Sequence, residues 1–222
     1  MNIKRFFFNS FHECCILLWD DAGAAVIVDP GCISPEETAE LTGFVQAHGL
    51  HPEKILLTHG HFDHIHGVAS LAKLYGIPVL MHPADRTIVE NSDYFCNRFG
   101  IPVPDSSFGT EDIADGDVIK AGTMTFEVLS TPGHTPGGVC YLCREDKLLL
   151  SGDTLFAGSI GRTDNGWGDY DALIAGIFEK LMTLDGDIRV IPGHGPATDI
   201  ATERMTNPFL QPFNQPFETE GY

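Results

Sequence analysis

The chain has 222 residues, 43% hydrophobic and 20% charged, an ordinary composition for a globular enzyme and enough length for one domain with a sizeable core. Its formal net charge is −18 with the histidines neutral, and its 13 Lys and Arg are scattered without a basic run, which argues against nucleic acid or anionic membranes as partners because both need a basic patch. No stretch approaches the ~20 apolar residues of a membrane span, and the apolar block within Met1 to Phe8 is too short for a signal peptide, so a cytoplasmic location is the default expectation.

Ile3 to Phe8, Ile16 to Trp19 and Ala24 to Val28 read as three strands of an antiparallel meander, with Asp20-Asp21-Ala22-Gly23 as the turn between the last two. Asp29 ends the third strand before Pro30-Gly31. Ser34-Pro35-Glu36-Glu37 predicts a helix start: Ser34 caps it, Pro35 suits the first helical position and Glu37 completes a capping box. Leu41, Phe44, Val45 and His48 continue its apolar stripe, and Gly49 stops it. His48 and His51 read as surface residues.

Ile55-Leu56-Leu57 is a buried strand leading into Thr58-His59-Gly60-His61-Phe62-Asp63-His64. A helix over about Gly67 to Tyr75 follows, its N-terminus toward that histidine stretch. Pro78 to Met81 is a short strand, and His82-Pro83 leads into a helix that includes Ile88 and Val89. The segment Asn91 to Asp115 is the least regular; its Tyr94, Phe95, Phe99 and Phe108 either wall a substrate cleft or pack over the sheet.

Further strands are expected over Asp117–Ile119, Met124–Ser130, Val139–Cys143, Leu148–Ser151 and Arg189–Ile191, with helices over Tyr170–Leu181 and Ile200–Met205. The tail from Asn207 to Tyr222 reads as an extended strap. Strand and helix recur in two similar halves, which predicts an α/β (α+β) fold in which two packed sheets have helices outside, a four-layer αββα sandwich spanning 1–222 as a single domain. The six cysteines, Cys14, Cys15, Cys32, Cys96, Cys140 and Cys143, have no disulfide spacing. Cys140-Tyr141-Leu142-Cys143 is formally a redox or zinc pair, but a strand with two small buried side chains is the better reading.

Three histidines and an aspartate within six residues are ligands suited to zinc and its neighbours. His59 and His61 are two apart, so an extended backbone sends them the same way, while Asp63 and His64 can point elsewhere. The arrangement suggests two metals side by side. Three more polar residues sit in the same setting: His134 in Pro132-Gly133-His134, Asp153 in Ser151-Gly152-Asp153 and His194 in Gly193-His194-Gly195. Each follows a strand and sits beside a glycine, a rigid mount with a backbone able to bend close to an ion. His66 reads as a spectator.

The pattern His59-x-His61-x-Asp63-His64, then His134, Asp153 and His194, resembles the metallo-β-lactamase-fold hydrolases, from Val28-Asp29-Pro30-Gly31 to Pro192-Gly193-His194-Gly195. Within them it is most similar to the glyoxalase II-like branch, hydrolases of thioesters such as hydroxyacylglutathione. The resemblance implies that His59, His61 and His134 hold one metal, that Asp63, His64 and His194 hold the other, and that Asp153 bridges them. It implies two divalent ions, Zn first with Fe or Mn as alternatives, a small-molecule acyl thioester as substrate, and hydrolysis through a metal-bridging hydroxide that Asp63 orients. Asp29 is implied as a supporting residue that fixes the ligand loops. Arg162, in Gly158-Ser159-Ile160-Gly161-Arg162, matches a basic residue that grips glutathione; it would hold a substrate carboxylate or pair with Asp164 or Asp169.

Two departures weigh against glutathione as the thiol. Asp164 stands where the family has Tyr, and Gly195-Pro196 where it has Glu-Tyr. The family's C-terminal helical glutathione-binding domain is also expected to be absent. The alternative is a persulfide dioxygenase of the same superfamily, with a single iron, which the chain resembles in Gly161-Arg162-Thr163-Asp164. A scaffold without catalysis, a lactamase or a nuclease fits less well. The acyl group, the thiol and the oligomeric state stay open.

Overall fold

The structure is a computed structural model that describes residues 1–211. The first sheet has the order β1 (Asn2–Phe8), β2 (Glu13–Trp19), β3 (Ala24–Val28), β4 (His51–Leu56), β5 (Val79–Met81) and β6 (Glu111–Asp112). β1 to β3 form the expected antiparallel meander, and β3 to β6 run parallel. The second sheet combines β7 (Val118–Ala121), β8 (Met124–Ser130), β9 (Val139–Cys143), β10 (Leu148–Gly152), β13 (Arg189–Pro192) and β14 (Thr198–Asp199). A small hairpin of β11 (Leu155–Phe156) and β12 (Ser159–Ile160) follows β10.

Side-chain alternation divides each central strand between two cores. In β2, Cys14, Ile16 and Leu18 enter the layer between the sheets, while Cys15 and Leu17 face outward onto helices. α1 (Pro35–Ala47) and α3 (Val68–Tyr75) cover that side, contributing Leu41, Val45 and Leu71. In β9, Val139, Tyr141 and Cys143 point inward, and Cys140 and Leu142 point toward α6 (Tyr170–Gly176) and its π-helical continuation Ile177–Leu181. The layers are therefore αββα, as expected. Cys140 and Cys143 lie on opposite faces of one strand, so the CxxC spacing brings no thiol pair together; both are buried and free.

The capping box at Ser34 is present with both of its hydrogen bonds, and α1 ends at His48 before Gly49 at φ +60°. Two expectations change. Residues Asn91 to Asp115 hold a helix, α5 (Ser92–Phe99), preceded by α4 (Arg86–Glu90), and the edge strand β6. Phe95, Cys96 and Phe99 do recur at helical spacing, but α5 is only eight residues long, polar on average, and buries only Ser92 and Cys96, so the signal in the sequence is short. A short helix α2 (Phe62–Ile65) also begins within the histidine stretch, with His61 at its N-cap. The last helix is α7 (Ile200–Thr206). Of the expected C-terminal strap only Asn207 to Gln211 is described, and there Leu210 inserts into the helix-side core; the remainder lies outside the described residues. Among the described residues no helix is long and apolar enough to cross a membrane.

Because β8 and β9, and β9 and β10, are antiparallel while β10 and β13 are parallel, β8, β10 and β13 end at the same edge of their sheet. β3 and β4 end together in the other sheet. The two edges are joined: Val139 N donates to Thr58 O (2.9 Å), Cys14 N to Gly193 O (2.7 Å) and the buried Tyr141 hydroxyl to Leu57 O (2.7 Å). These bonds satisfy backbone groups that burial would otherwise leave costly. They also fix the loops after β3, β4, β8, β10 and β13 against one another.

Candidate metal centre

Those five loops carry the polar residues singled out in the sequence, and the fold brings all seven candidate ligands together. One ligand atom each from His59, His61 and His134 forms a group within 4.8 Å, and so does one each from Asp63, His64 and His194. His134 Nε2 lies 2.9 Å from His61 Nδ1, and His64 Nε2 lies 3.2 Å from His194 Nε2. Donor nitrogens of a shared tetrahedral zinc ion stand about 3.3 Å apart, from bonds of about 2.05 Å. Asp153 lies between the groups, with Oδ1 3.6 Å from His64 Nε2 and Oδ2 3.5 Å from His134 Nε2 and 3.6 Å from His194 Nε2. His66 stands apart from both groups.

Four imidazoles are held from behind. His134 Nδ1 donates to Arg162 O (2.8 Å), His194 Nδ1 to Phe11 O (3.0 Å), His64 Nδ1 to Asp29 Oδ2 (3.1 Å) and His59 Nδ1 to Thr58 Oγ1 (3.0 Å). Each bond places the proton on Nδ1 and leaves Nε2 facing inward, the arrangement that orients a histidine for a metal. Asp29 organises two of them, because it also accepts from Thr58 N (2.7 Å) and the Thr58 hydroxyl (2.6 Å). It adopts φ +47°, and it lies within ligand distance of His59 and His64. Its oxygens already accept from Thr58 and from the back of His64, so it orients ligands and does not join them.

The electrostatics match a cation. Burial drives His59 well below the usual histidine range, and burial with neighbouring His134 takes His61 to about 3, so both keep free lone pairs. Burial alone would lower His64, but Asp153, Asp63 and Asp29 outweigh it and raise the ring to about 9. Burial would raise Asp63, yet His64, His194 and His61 hold it below the usual carboxylate range. These carboxylates thus favour positive charge at one point, whether proton or metal ion. His59 Nε2 and Asp153 Oδ1 are buried without any hydrogen-bond partner. Buried polar atoms are rarely left orphaned, and both belong to the converging groups, so the residues fit a bound metal.

Glycines let the loops close in. At Gly152, φ is +48° and a Cβ would strike the Thr58 side chain. At Gly193 a Cβ would meet Asp153 Oδ1 and come within 2.7 Å of His64 Cε1.

Two buried acids escaped the sequence reading. Asp85 accepts from Gly60 N (2.8 Å), the Thr135 hydroxyl (2.8 Å) and Gly137 N (2.6 Å). It therefore ties the His59–His61 loop to the His134 loop. Its signal was available: like the ligands, it follows a strand end, here β5. Asp85→Asn would turn an amide N–H toward one of three donors. We expect it to weaken metal affinity about 10–100-fold, the range for a supporting residue, and to cost about 1–3 kcal/mol of stability. Chelator competition checks this; unchanged affinity would show that Asp85 does not hold the loops. Glu13, fully buried at the start of β2, has both oxygens unpartnered, and burial with Asp29 nearby pushes its carboxyl well up. It sits 4.0 Å from His64 Nδ1.

A cleft of about 1280 Å³ opens over the centre. His61, Asp63, His134, Asp153 and His194 line its floor, and α5 lines one side. Arg162 also lines it, with Nε donating to Asp164 at 2.8 Å.

An αββα sandwich with a buried His/Asp centre on strand-end loops is the architecture of the metallo-hydrolase superfamily. The chain belongs to the metallo-beta-lactamase superfamily, whose family profile matches residues 13–194. It is similar to hydroxyacylglutathione hydrolase GloC of Haemophilus influenzae, 38% identical over 94% of this chain and 98% of that protein. Among solved structures it resembles the BLEG-1 B3 metallo-beta-lactamase (TM-score 0.87, 36% identity, 94% of this chain and 99% of that one). TTHA1623, crystallised in a di-iron-bound form, gives a TM-score of 0.84 with 37% identity over 93% of this chain and all of that one (100%). ETHE1 from Myxococcus xanthus is more distant in sequence, 25% identical with a TM-score of 0.77 over 98% of this chain and 93% of that one.

Proposed function

We propose that the protein is a dinuclear metal-dependent hydrolase of acyl thioesters. The observation that carries this reading is the position of Asp153, 3.5–3.6 Å from imidazole nitrogens of both ligand groups. A lone metal site would need no carboxylate between two groups. His59, His61 and His134 would hold one ion, and Asp63, His64 and His194 the other. The di-iron form of TTHA1623 supports a pair of ions, and GloC supports thioesters. When bound, such a pair supplies water activated at neutral pH and a Lewis acid for the carbonyl.

The chain's own residues do the rest. Asp63, held unprotonated by His64 and His194, accepts a hydrogen bond from the attacking water and orients it. Water oxygen adds to the acyl carbon, the C–S bond breaks, and one proton of the water leaves with the thiolate as the thiol while the other is released as the acid product ionises. A thiolate leaves with little help, so this step needs no general acid in the cleft. Asp164 pairs with Arg162 in place of a tyrosine, and Gly195-Pro196 brings no side-chain donor, which favours a thiol other than glutathione.

The test is a thioester panel on metal-loaded protein, run beside oxygen uptake with a persulfide. Thioester hydrolysis without oxygen uptake is the expected result. Oxygen uptake with a single iron per chain would establish the dioxygenase reading instead.

A further inference from the structure

We propose that Arg98 on α5 is an anion-binding, specificity-determining residue, and that the substrate is a thioester with an apolar or aromatic body ending in a carboxylate. The inference rests on the thioester reading of the same cleft and adds its substrate class.

The cleft wall is aromatic and continuous. Phe95 begins it beside the ligand His61, with ring centroids 6.3 Å apart. Phe62 stacks with Phe95 at 6.4 Å and approaches Phe99 at 5.9 Å, and Phe11 meets Phe62 and Phe99 edge-on at 5.2 and 5.5 Å. These rings lie on the cleft, outside the cores of the sandwich. A wall of this kind holds apolar surface. The cleft, at about 1280 Å³, far exceeds what a small polar acyl group would fill, since pockets for drug-sized ligands measure roughly 300–1,000 Å³.

Arg98 lies on the same wall, three residues and about 4.5 Å of helix rise beyond Phe95. It is exposed and, among the described residues, makes no hydrogen bond or ion pair. Arg162, the other arginine on the cleft, already donates to Asp164. The chain carries −18 overall, so an unneutralised guanidinium beside an aromatic surface is a local exception that fits one ligand chemistry. Arginine matches a carboxylate with two parallel hydrogen bonds. The carboxylate could sit on the thiol arm or on the acyl arm, whichever lies along α5 while the carbonyl reaches the centre.

The experiment uses metal-loaded full-length protein, wild type, Arg98→Gln and Arg162→Gln. The probes are the 3-phenylpropanoyl thioester of 3-mercaptopropionate, the same thioester of methyl 3-mercaptopropionate, and the S-benzyl monothioester of glutaric acid with its methyl ester. We expect wild type to prefer one of the two acids over its own ester by about fivefold in kcat/KM, corresponding to about 1 kcal/mol for a solvent-exposed ion pair. The acid that shows the preference identifies the arm. Arg98→Gln should abolish the preference through KM while leaving the esters within about twofold of wild type, and Arg162→Gln should retain it.

No charge preference in wild type, or a preference that survives Arg98→Gln, overturns the proposal. The non-hydrolysable thioethers S-(3-phenylpropyl)-3-mercaptopropionate and 5-(benzylsulfanyl)pentanoate, each with its methyl ester, separate the two readings by calorimetry. If no thioester is hydrolysed, the thioester reading fails alone when a thioether acid still binds better than its ester to wild type but not to Arg98→Gln. Equal binding in wild type sinks both.

Discussion

Asp153→Ala is expected to lose at least one metal ion per chain and to lower the proposed thioester hydrolysis by about 10²–10⁴-fold, since a metal supplies several kcal/mol of transition-state stabilisation and each 1.36 kcal/mol is tenfold in rate. The effect is large because Asp153 faces both ligand groups at once, and Asp29, the other carboxylate near imidazoles of both groups, already accepts from Thr58 and from His64 Nδ1. The fold should survive, because the residue sits on a strand-end loop and contributes to none of the three apolar clusters. Elemental analysis with circular dichroism checks both halves. His66→Ala is the control: it lies beside the same loops and outside both groups, so its metal content should equal wild type. An Asp153→Ala protein with unchanged metal content and rate would remove the bridge from the account.

Gly193→Ala is expected to be nearly as damaging, although it deletes no ligand. Its new Cβ would strike Asp153 Oδ1, lie 2.7 Å from His64 Cε1 and 3.3 Å from the Gly152 carbonyl carbon. The backbone has little room to retreat, since Gly193 N donates to Gly152 O (2.9 Å) and Gly193 O accepts from Cys14 N (2.7 Å). Either the ligands swing out or the loop breaks its bonds to both sheets. Metal content should fall as for Asp153→Ala, with overpacking costing about 1–3 kcal/mol in stability. Gly195→Ala separates sterics from backbone strain. It has φ +78° but nothing within 4 Å of its Cβ position, so it should lower stability and keep its metal. Full metal content in Gly193→Ala would show that the loops are not packed this closely.

The candidate site was legible because its seven residues come from four loops that repeat one local device, a polar side chain after an apolar strand and beside a glycine, with Asp63 and His64 close behind in the first of them. That device is written in adjacent residues, and the two-layer arrangement of strands is enough to bring the copies to one edge. Asp85 and Glu13 were missed for different reasons. Asp85 follows a strand of only three residues, and its partners Gly60, Thr135 and Gly137 are distant in sequence. Glu13 opens β2, but a charged residue before Cys14-Cys15 gives no hint that it is fully buried, and the apolar run that marks the strand begins only at Ile16. α5 was hard to read because it is eight residues long and polar on average, despite Phe95, Cys96 and Phe99 at helical spacing, and the wall that its aromatics build with Phe11 and Phe62 exists only in the folded chain. For the same reason Arg162 stood out in the sequence, from its motif, whereas the unpaired Arg98 became visible only once its neighbours were in place.

The most direct test of the central claim is the metal stoichiometry of the purified protein, measured by elemental analysis alongside thioester hydrolysis before and after chelation. Two divalent ions per chain are expected, with activity lost as the chelator removes them and restored when two equivalents are returned. A protein that hydrolyses thioesters at full rate with its metals stripped, or that saturates with one ion per chain and gains nothing from a second, would contradict it.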